Sequence, residues 1–142
     1  TFNFTSVLID GQFPNYQRVI PENQESFFEV DKKDLVDALK RVSLFVEQKS
    51  HRVYFKIAPG ILTITSQESE LGVANEEIPC MYDGPEFEMA FNYIYIEEPV
   101  KVINTERLRF EFTPSENGMK AITLKSEPVS DFFHIVMPMQ ME

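Results

Sequence analysis

The sequence is poor in the residues that most often carry metal or redox chemistry. It has one cysteine, Cys80, two histidines, His51 and His134, and no tryptophan. A single cysteine excludes an intramolecular disulfide, which is typical of a reducing cytoplasm. Each histidine is interpreted as a surface residue, His51 at a helix–strand turn and His134 in a strand. We therefore expect no metal, no cofactor and a cytoplasmic location.

Glycine-rich loops and catalytic groupings are also absent from the sequence. The five glycines fall in separate turns, so none forms part of a phosphate-binding loop. Acidic neighbours such as Glu76–Glu77 and Glu97–Glu98 tend to point apart, and no base accompanies a nucleophile. The sequence predicts no catalytic residues, and we expect a protein that is not an enzyme.

Long apolar runs and excess positive charge are lacking too. No run approaches the roughly 20 residues that cross a bilayer, and the start has no basic region of a signal peptide, so we expect no membrane association. The net charge of −10 argues against tight, indiscriminate DNA binding, although it leaves room for a local basic face. The chain begins without methionine inside a strand-like pattern, and we expect it to be a piece of a longer protein.

What the sequence does contain is enough apolar material for one domain. Hydrophobic residues make up 43% of it, including 13 phenylalanines. Residues 1–21 are predicted to hold a strand, Phe2–Ile9, followed by a stiff connector at 13–21. Prolines bracket that connector, so neither helix nor central strand is expected there. Residues 22–142 form the predicted domain.

That domain reads as two copies of one unit, at about 26–82 and 86–139. Each copy has a strand, a helix with an N-cap (Asp31 or Asn92) and further strands. The predicted strands are 27–30, 53–57, 61–65 and about 72–78 in the first copy and 87–91, 107–112, 122–127 and 132–137 in the second, with a hairpin loop at 115–118. The side chains predicted to form the apolar face of the first helix are Leu35, Leu39, Val42 and Val46. Those predicted for the apolar face, or stripe, of the second helix are Tyr95, Ile96, Pro99, Val102 and Ile103. The expected class is α+β, with two helices packed on antiparallel sheet.

Two surfaces are candidates for function. Lysines and arginines of the first helix lie off its apolar stripe, which fits either a solvated face or a weakly basic face toward a polyanion. The connector and the C-terminal residues 135–139 carry prolines, methionines and branched side chains. These residues either pack as core or form an apolar groove that accepts a short peptide.

The block Asp10–Pro21, the segment Phe91-Asn92-Tyr93-Ile94-Tyr95 and the end Val136-Met137-Pro138-Met139 together resemble the bacterial DNA polymerase III sliding clamp family, the β subunit or processivity factor. The resemblance implies the DNA-clamp fold, with residues 1–21 as the last strand of a middle domain plus connector. It implies a peptide groove at Pro14, Arg18, Val19, Asn92, Tyr95, Val136, Met137, Pro138 and Met139. The candidate DNA-facing residues are Lys32, Lys33, Lys40, Arg41 and Lys101.

The resemblance also implies partners. Duplex DNA would pass through a head-to-tail dimeric ring, and the replicative polymerase, the clamp loader and repair polymerases would bind through short linear motifs. This fragment is not expected to close a ring by itself. Gln140 stands where the family often has arginine, and Pro99 is expected to kink or shorten the second helix. The alternative is a stand-alone α+β protein-interaction module with no DNA role.

Overall fold

The computed structural model describes residues 1–21, 24–115 and 120–141. Within those residues a short 3₁₀ helix, Tyr16–Arg18, precedes eight strands and two α-helices. The strands are β1 Ser26–Asp31, β2 Arg52–Ala58, β3 Ile61–Ser66, β4 Asn75–Met81, β5 Phe87–Asn92, β6 Arg107–Phe112, β7 Ile122–Glu127 and β8 Phe133–Val136. The helices are α1 Lys32–Ser43 and α2 Tyr93–Val102. The predicted α+β fold, with two helices on antiparallel sheet, is confirmed.

The sheet is antiparallel throughout and almost closes on itself. Its strand order is β5-β2-β3-β4-β1-β6-β7-β8. The two outermost strands meet through the tail, where the Met139 N–H donates to the Ala90 carbonyl at 2.7 Å. A tail beyond the last strand therefore joins the two ends of the sheet.

The predicted duplication is visible in the backbone. The first unit is β1-α1-β2-β3-β4, and the second is β5-α2-β6-β7-β8. Each first strand pairs with a hairpin strand of the other unit, β1 with β6 and β5 with β2. The pairing of Glu29 with Met81 in the first unit has its equivalent in the bridge between Ala90 and Met139. Because the units exchange strands, they share one core.

The two helices begin as their sequences predict. The Asp31 carboxylate accepts from the Asp34 N–H at 3.1 Å, and the Asn92 side chain accepts from the Ile94 N–H at 3.0 Å. Each side chain thus satisfies a backbone donor that the helix leaves without a partner. The predicted stripe of α1 is buried, although Val46 lies beyond the helix end.

The predicted stripe of α2 is partly wrong. Ile96, Pro99 and Ile103 are buried, but Tyr95 and Val102 are exposed and Val100 takes a place in the core. Pro99 lies inside the helix, which continues to Val102 and has 10 residues against the 12 of α1. Its ring removes one backbone donor but does not end the helix at that point.

The core is built from aromatic rings of both units. Phe28 stacks on Phe110 with ring centroids 4.8 Å apart. Phe55 meets Phe91 edge-on at 5.2 Å and Phe110 at 6.4 Å. Edge-on and offset contacts of this kind suit the charge distribution of the rings. The interior under both helices is therefore continuous.

The beginning of the chain differs from expectation. No strand forms at Phe2–Ile9, whose large apolar side chains are exposed. A period-2 apolar pattern forms a strand only when another strand supplies hydrogen bonds, and the described residues of this chain supply none there. The connector, expected to be non-helical, makes one 3₁₀ turn at Tyr16–Arg18, capped by Asn15. The division between residues 21 and 22 stays a prediction.

The observed bounds of the other strands differ from the predicted ones by a few residues at most. The strand predicted near 72–78 runs from Asn75 to Met81, and the strand predicted at 132–137 is the shorter Phe133–Val136. The predicted strands 107–112 and 122–127 are confirmed at their expected bounds. Residues 116–118 of the predicted hairpin loop lie outside the described residues.

Candidate functional site

The C-terminal residues alternate between the core and the surface. Val136 ends β8 inside the core, and Pro138 is buried. Between them Met137 is 61% exposed. Met139 is half-buried and holds its hydrogen bond to Ala90. The tail is therefore a fixed segment that presents the thioether of Met137 outward.

The first turn of α2 lies beside this tail. Ala90, which receives the hydrogen bond from Met139, is two residues before the N-cap Asn92. Tyr95 follows in the same turn and is 56% exposed, and α2 also contacts β8. The structure thus brings the predicted groove residues of α2 and of the tail to one edge of the sheet.

The connector residues of the predicted groove show no described contact with α2 or the tail. Pro14, Arg18 and Val19 are exposed. Pro14 and Arg18 line a cavity of about 400 Å³ that is built from residues 12–15 and 18 alone. The connector meets the folded domain further along, where Ile20 and Pro21 line a cavity of about 330 Å³. The remaining lining residues of that cavity are Gln24, Glu111, Thr123, Lys125 and Phe133.

Four of the five cations of the predicted DNA-facing surface contact a carboxylate or a carbonyl oxygen. The Lys32 ammonium donates to the Ile103 carbonyl, which ties α1 to the end of α2. Lys33 lies 3.8 Å from Asp37 on the same helix, and Lys101 lies 3.3 Å from Glu97. These are exposed or half-exposed helix pairs of small energetic value.

Arg41 makes the firmest of these contacts. Its Nε donates to Glu76 Oε1 at 2.7 Å and its Nη2 to Oε2 at 3.2 Å. The hydrogen bond to Glu76 raises the pKa of Arg41 above its ordinary value. This bidentate contact links α1 to β4, so Arg41 holds the helix on the sheet. Lys40, next to it, is exposed.

A ladder of charges on the outer face of β1 and β6 was not predicted. Glu29 lies 3.6 Å from Arg109 and 3.9 Å from Arg107. Arg109 in turn lies 3.5 Å from Glu111 and covers the ring of Phe27 at 3.7 Å, a cation–π contact. The cross-strand alternation of sign was readable only once the β1–β6 register was known.

No arrangement for metal or membrane chemistry was found in the described part of the chain. No group of three His, Cys, Asp or Glu side chains there could hold a metal ion. Neither described helix is long and apolar enough to cross a membrane. Burial raises the pKa of the Cys80 thiol, which keeps it in the less nucleophilic protonated form.

Strand exchange between two strand–helix–strands units, with two helices on one nearly closed sheet, defines a domain of the DNA-clamp fold. The fold matches a crystal structure of the DNA polymerase sliding clamp from Pseudomonas aeruginosa with ligand, with a TM-score of 0.87 and 28% identity. That match covers 94% of this chain and 36% of the other.

Sequence comparison gives the family. Residues 17–140 match the family described as DNA polymerase III beta subunit, C-terminal domain. The beta sliding clamp of Treponema pallidum is 52% identical over 145 residues, and that of Pseudomonas aeruginosa is 31% identical over 140. The chain belongs to this family of sliding-clamp C-terminal domains. It is 99% covered in both matches but spans only 38% and 37% of the length of these relatives.

Proposed function

We propose that this chain works as the C-terminal domain of a dimeric, ring-shaped clamp that encircles duplex DNA and keeps the replicative polymerase on its template. The family match over residues 17–140 carries this proposal. The domain itself catalyses nothing in this role. It supplies α1 and α2 toward the DNA and a docking edge for partner proteins, in the cytoplasm.

The docking edge consists of the tail and the start of α2. Met137 and Tyr95 are exposed, but their backbone is fixed. Met137 lies between buried Val136 and Pro138, and Tyr95 lies in the first turn of α2. A peptide therefore meets an apolar surface that is already ordered. A peptide that covers two or three large apolar side chains there gains roughly 1.5–3 kcal/mol from each. After ordering costs, affinity lies around the micromolar range, which suits exchange among polymerases and the clamp loader.

A binding experiment on this chain tests the proposal. A fluorescent peptide of Gln-Leu-x-Leu-Phe type, compared with one whose apolar residues are alanine, should bind and raise the anisotropy. Tyr95→Ala and Met137→Ala should each weaken binding about tenfold, which corresponds to roughly 1.4 kcal/mol. Val102→Ala is the matched control, because Val102 is 62% exposed on the same helix two turns away.

Deletion of the tail is a poorer experiment than these substitutions. It would remove buried Pro138 and the hydrogen bond from Met139 to Ala90 together with Met137. Loss of binding would then follow from loss of structure.

The buried positions of Val136 and Pro138 favour the alternative, in which the tail only packs as core. Unchanged binding in both alanine variants, or equal loss in Val102→Ala, would support that alternative.

Partner assembly concerns the whole clamp. Head-to-tail dimerisation and DNA encirclement need domains beyond the third of the relatives' length that this chain covers. The connector residues Pro14, Arg18 and Val19 are proposed to complete the groove in that context. Restoring the upstream domains should therefore tighten peptide binding, and Arg18→Ala should weaken it only in the longer protein.

A further inference from the structure

Each repeat caps the helix of the other repeat. The N–H of Tyr93, the first residue of α2, donates to the His51 carbonyl at 2.9 Å. The N–H of Lys32, the first residue of α1, donates to the Glu106 carbonyl at 2.8 Å. His51 and Glu106 are equivalent, because each directly precedes the first hairpin strand of its unit. The two bonds therefore form a reciprocal pair across the domain.

The two caps differ in backbone conformation and in side-chain contacts. His51 has a φ of 51°, in the left-handed region, and it is the one non-glycine residue with positive φ in the described ranges. Glu106 therefore makes its hydrogen bond from an ordinary backbone conformation with negative φ. Histidine tolerates this region better than most residues do. The conformation is accompanied by a ring contact, since His51 meets Tyr93 edge-on with centroids 5.6 Å apart and planes at 77°. The α2 cap thus has an aromatic contact in addition to its hydrogen bond.

His51 contacts the first turn of α2, which carries Asn92 and Tyr95 of the predicted groove. Tyr93 lies between the N-cap Asn92 and exposed Tyr95, and its own side chain packs against the core. The first turn of α2 has no acidic residue to stabilise its N-terminus, whereas α1 has Asp34. Besides the packing of Tyr93 and Ile96 on the core, this turn is held by the Asn92 cap and by His51.

We infer that His51 is a positioning residue for the α2 wall of the peptide groove. The inference deepens the proposed function and rests on it. His51 acts through Tyr93, and it fixes the direction in which Tyr95 is presented to a peptide. Edge-to-face aromatic pairs have modest strength, so the expected effect is on affinity and local order, not on the fold.

His51→Asn tests the inference in the full chain, because asparagine keeps access to left-handed φ and retains the carbonyl but lacks the ring. The peptide dissociation constant should rise two- to tenfold, and the Tyr93 amide should exchange with solvent several times faster. Tyr93→Leu removes the same ring pair from the other side and should reproduce the loss. Glu106→Ala, at the equivalent cap of α1, should change neither quantity.

Several results would overturn the inference. They are unchanged Tyr93 exchange and affinity in His51→Asn, or an equal loss of affinity in Glu106→Ala. A purely structural role would lower the unfolding temperature of His51→Asn while the affinity of the folded chain for the peptide stayed unchanged. If the unmodified chain bound no peptide, the proposed function would fail, and the exchange rate of the Tyr93 amide would still decide whether His51 orders α2.

Discussion

The two repeats share their backbone contacts and differ in the side chains at equivalent places. Both helices receive a cap from the other unit, and both units end in a bridge to their own first strand. At that bridge the first unit has Glu29 within a charge ladder, whereas the second has buried Ala90. Hydrogen bonds between backbone groups do not depend on the side chain, so the frame persists while each surface takes its own role.

The largest expected effects test whether the two repeats contribute equally to the core. Phe55 and Phe110 occupy equivalent strand positions and contact each other. Phe55→Ala and Phe110→Ala should each lower the free energy of unfolding by about 3–5 kcal/mol. Urea denaturation measures this loss.

The double variant sharpens that comparison. Because the two rings touch, the combined loss should be smaller than the sum of the single losses. Strictly additive losses, or a loss under about 1 kcal/mol for one of the rings, would show that the repeats have separate or unequal cores.

The next effect concerns a feature that only the first repeat has. Glu29→Ala places in β1 the residue that β5 has at the equivalent position. It removes the largely buried carboxylate that Arg107 and Arg109 share, leaves Arg109 with Glu111 alone, and should cost about 1.5–3 kcal/mol of unfolding free energy. Thermal or urea unfolding measures the cost. Asp37→Ala, which breaks an exposed helix pair with Lys33, is the control and should cost under about 0.5 kcal/mol. Equal costs would mean that the ladder contributes no more than a surface pair.

Local signals were sufficient for the two hairpin strands of the second repeat and for the starts of both helices. Strands β6 and β7 appear at their predicted bounds. Buried and partly exposed side chains alternate along β6, and in β7 only buried Thr123 departs from that alternation. The N-caps Asp31 and Asn92 were predicted from the residue type and the apolar spacing that follows. β4 was misplaced by three residues because only Ile78 in it is buried, so its pattern is weak.

Contacts between residues far apart in sequence could not be predicted. The bond between Met139 and Ala90, like the cap from His51 to Tyr93, joins backbone groups, which carry no residue signature. The burial of Val100 in place of Tyr95 depends on how α2 packs against β5 and β8. Phe2–Ile9 has the alternation of a strand without a partner strand in the described chain. The candidate groove therefore stays a prediction, and the contacts that bring its α2 and tail residues to one edge of the sheet could not be read from the sequence.

A smaller effect tests the closing bridge. Met139→Pro removes the N–H that donates to the fully buried Ala90 and should lower the free energy of unfolding by about 1–2 kcal/mol. Met139→Ala keeps that hydrogen bond, so comparing the two variants by urea denaturation separates the bond from the side chain. If Met139→Pro and Met139→Ala had equal stability, the bond from Met139 to Ala90 would not be a fixed part of the sheet. The tail would then not match the pairing of Met81 with Glu29 in the first unit.

The smallest effect concerns the predicted DNA-facing surface, where the two helices differ in charge. Lys33 and Arg41 already have acidic partners, so exposed Lys40 is the best candidate on α1 for a phosphate contact. Lys40→Gln should weaken duplex binding by this chain without regard to sequence. It should also reduce the slope of log affinity against log salt by about one, as measured by anisotropy.

Lys56→Gln is the matched control for that measurement. Lys56 is an exposed lysine of β2, and it lies between buried Phe55 and Ile57, so it projects from the face of the sheet opposite the core and helices. It lies 3.1 Å from Glu86 in an exposed ion pair, which has small energetic value. A weak polyanion contact through α1 requires the salt slope to respond to Lys40 and not to Lys56. Equal responses would instead indicate attraction that depends only on the net charge of the domain, and the solvated-face interpretation of α1 would then be the correct one.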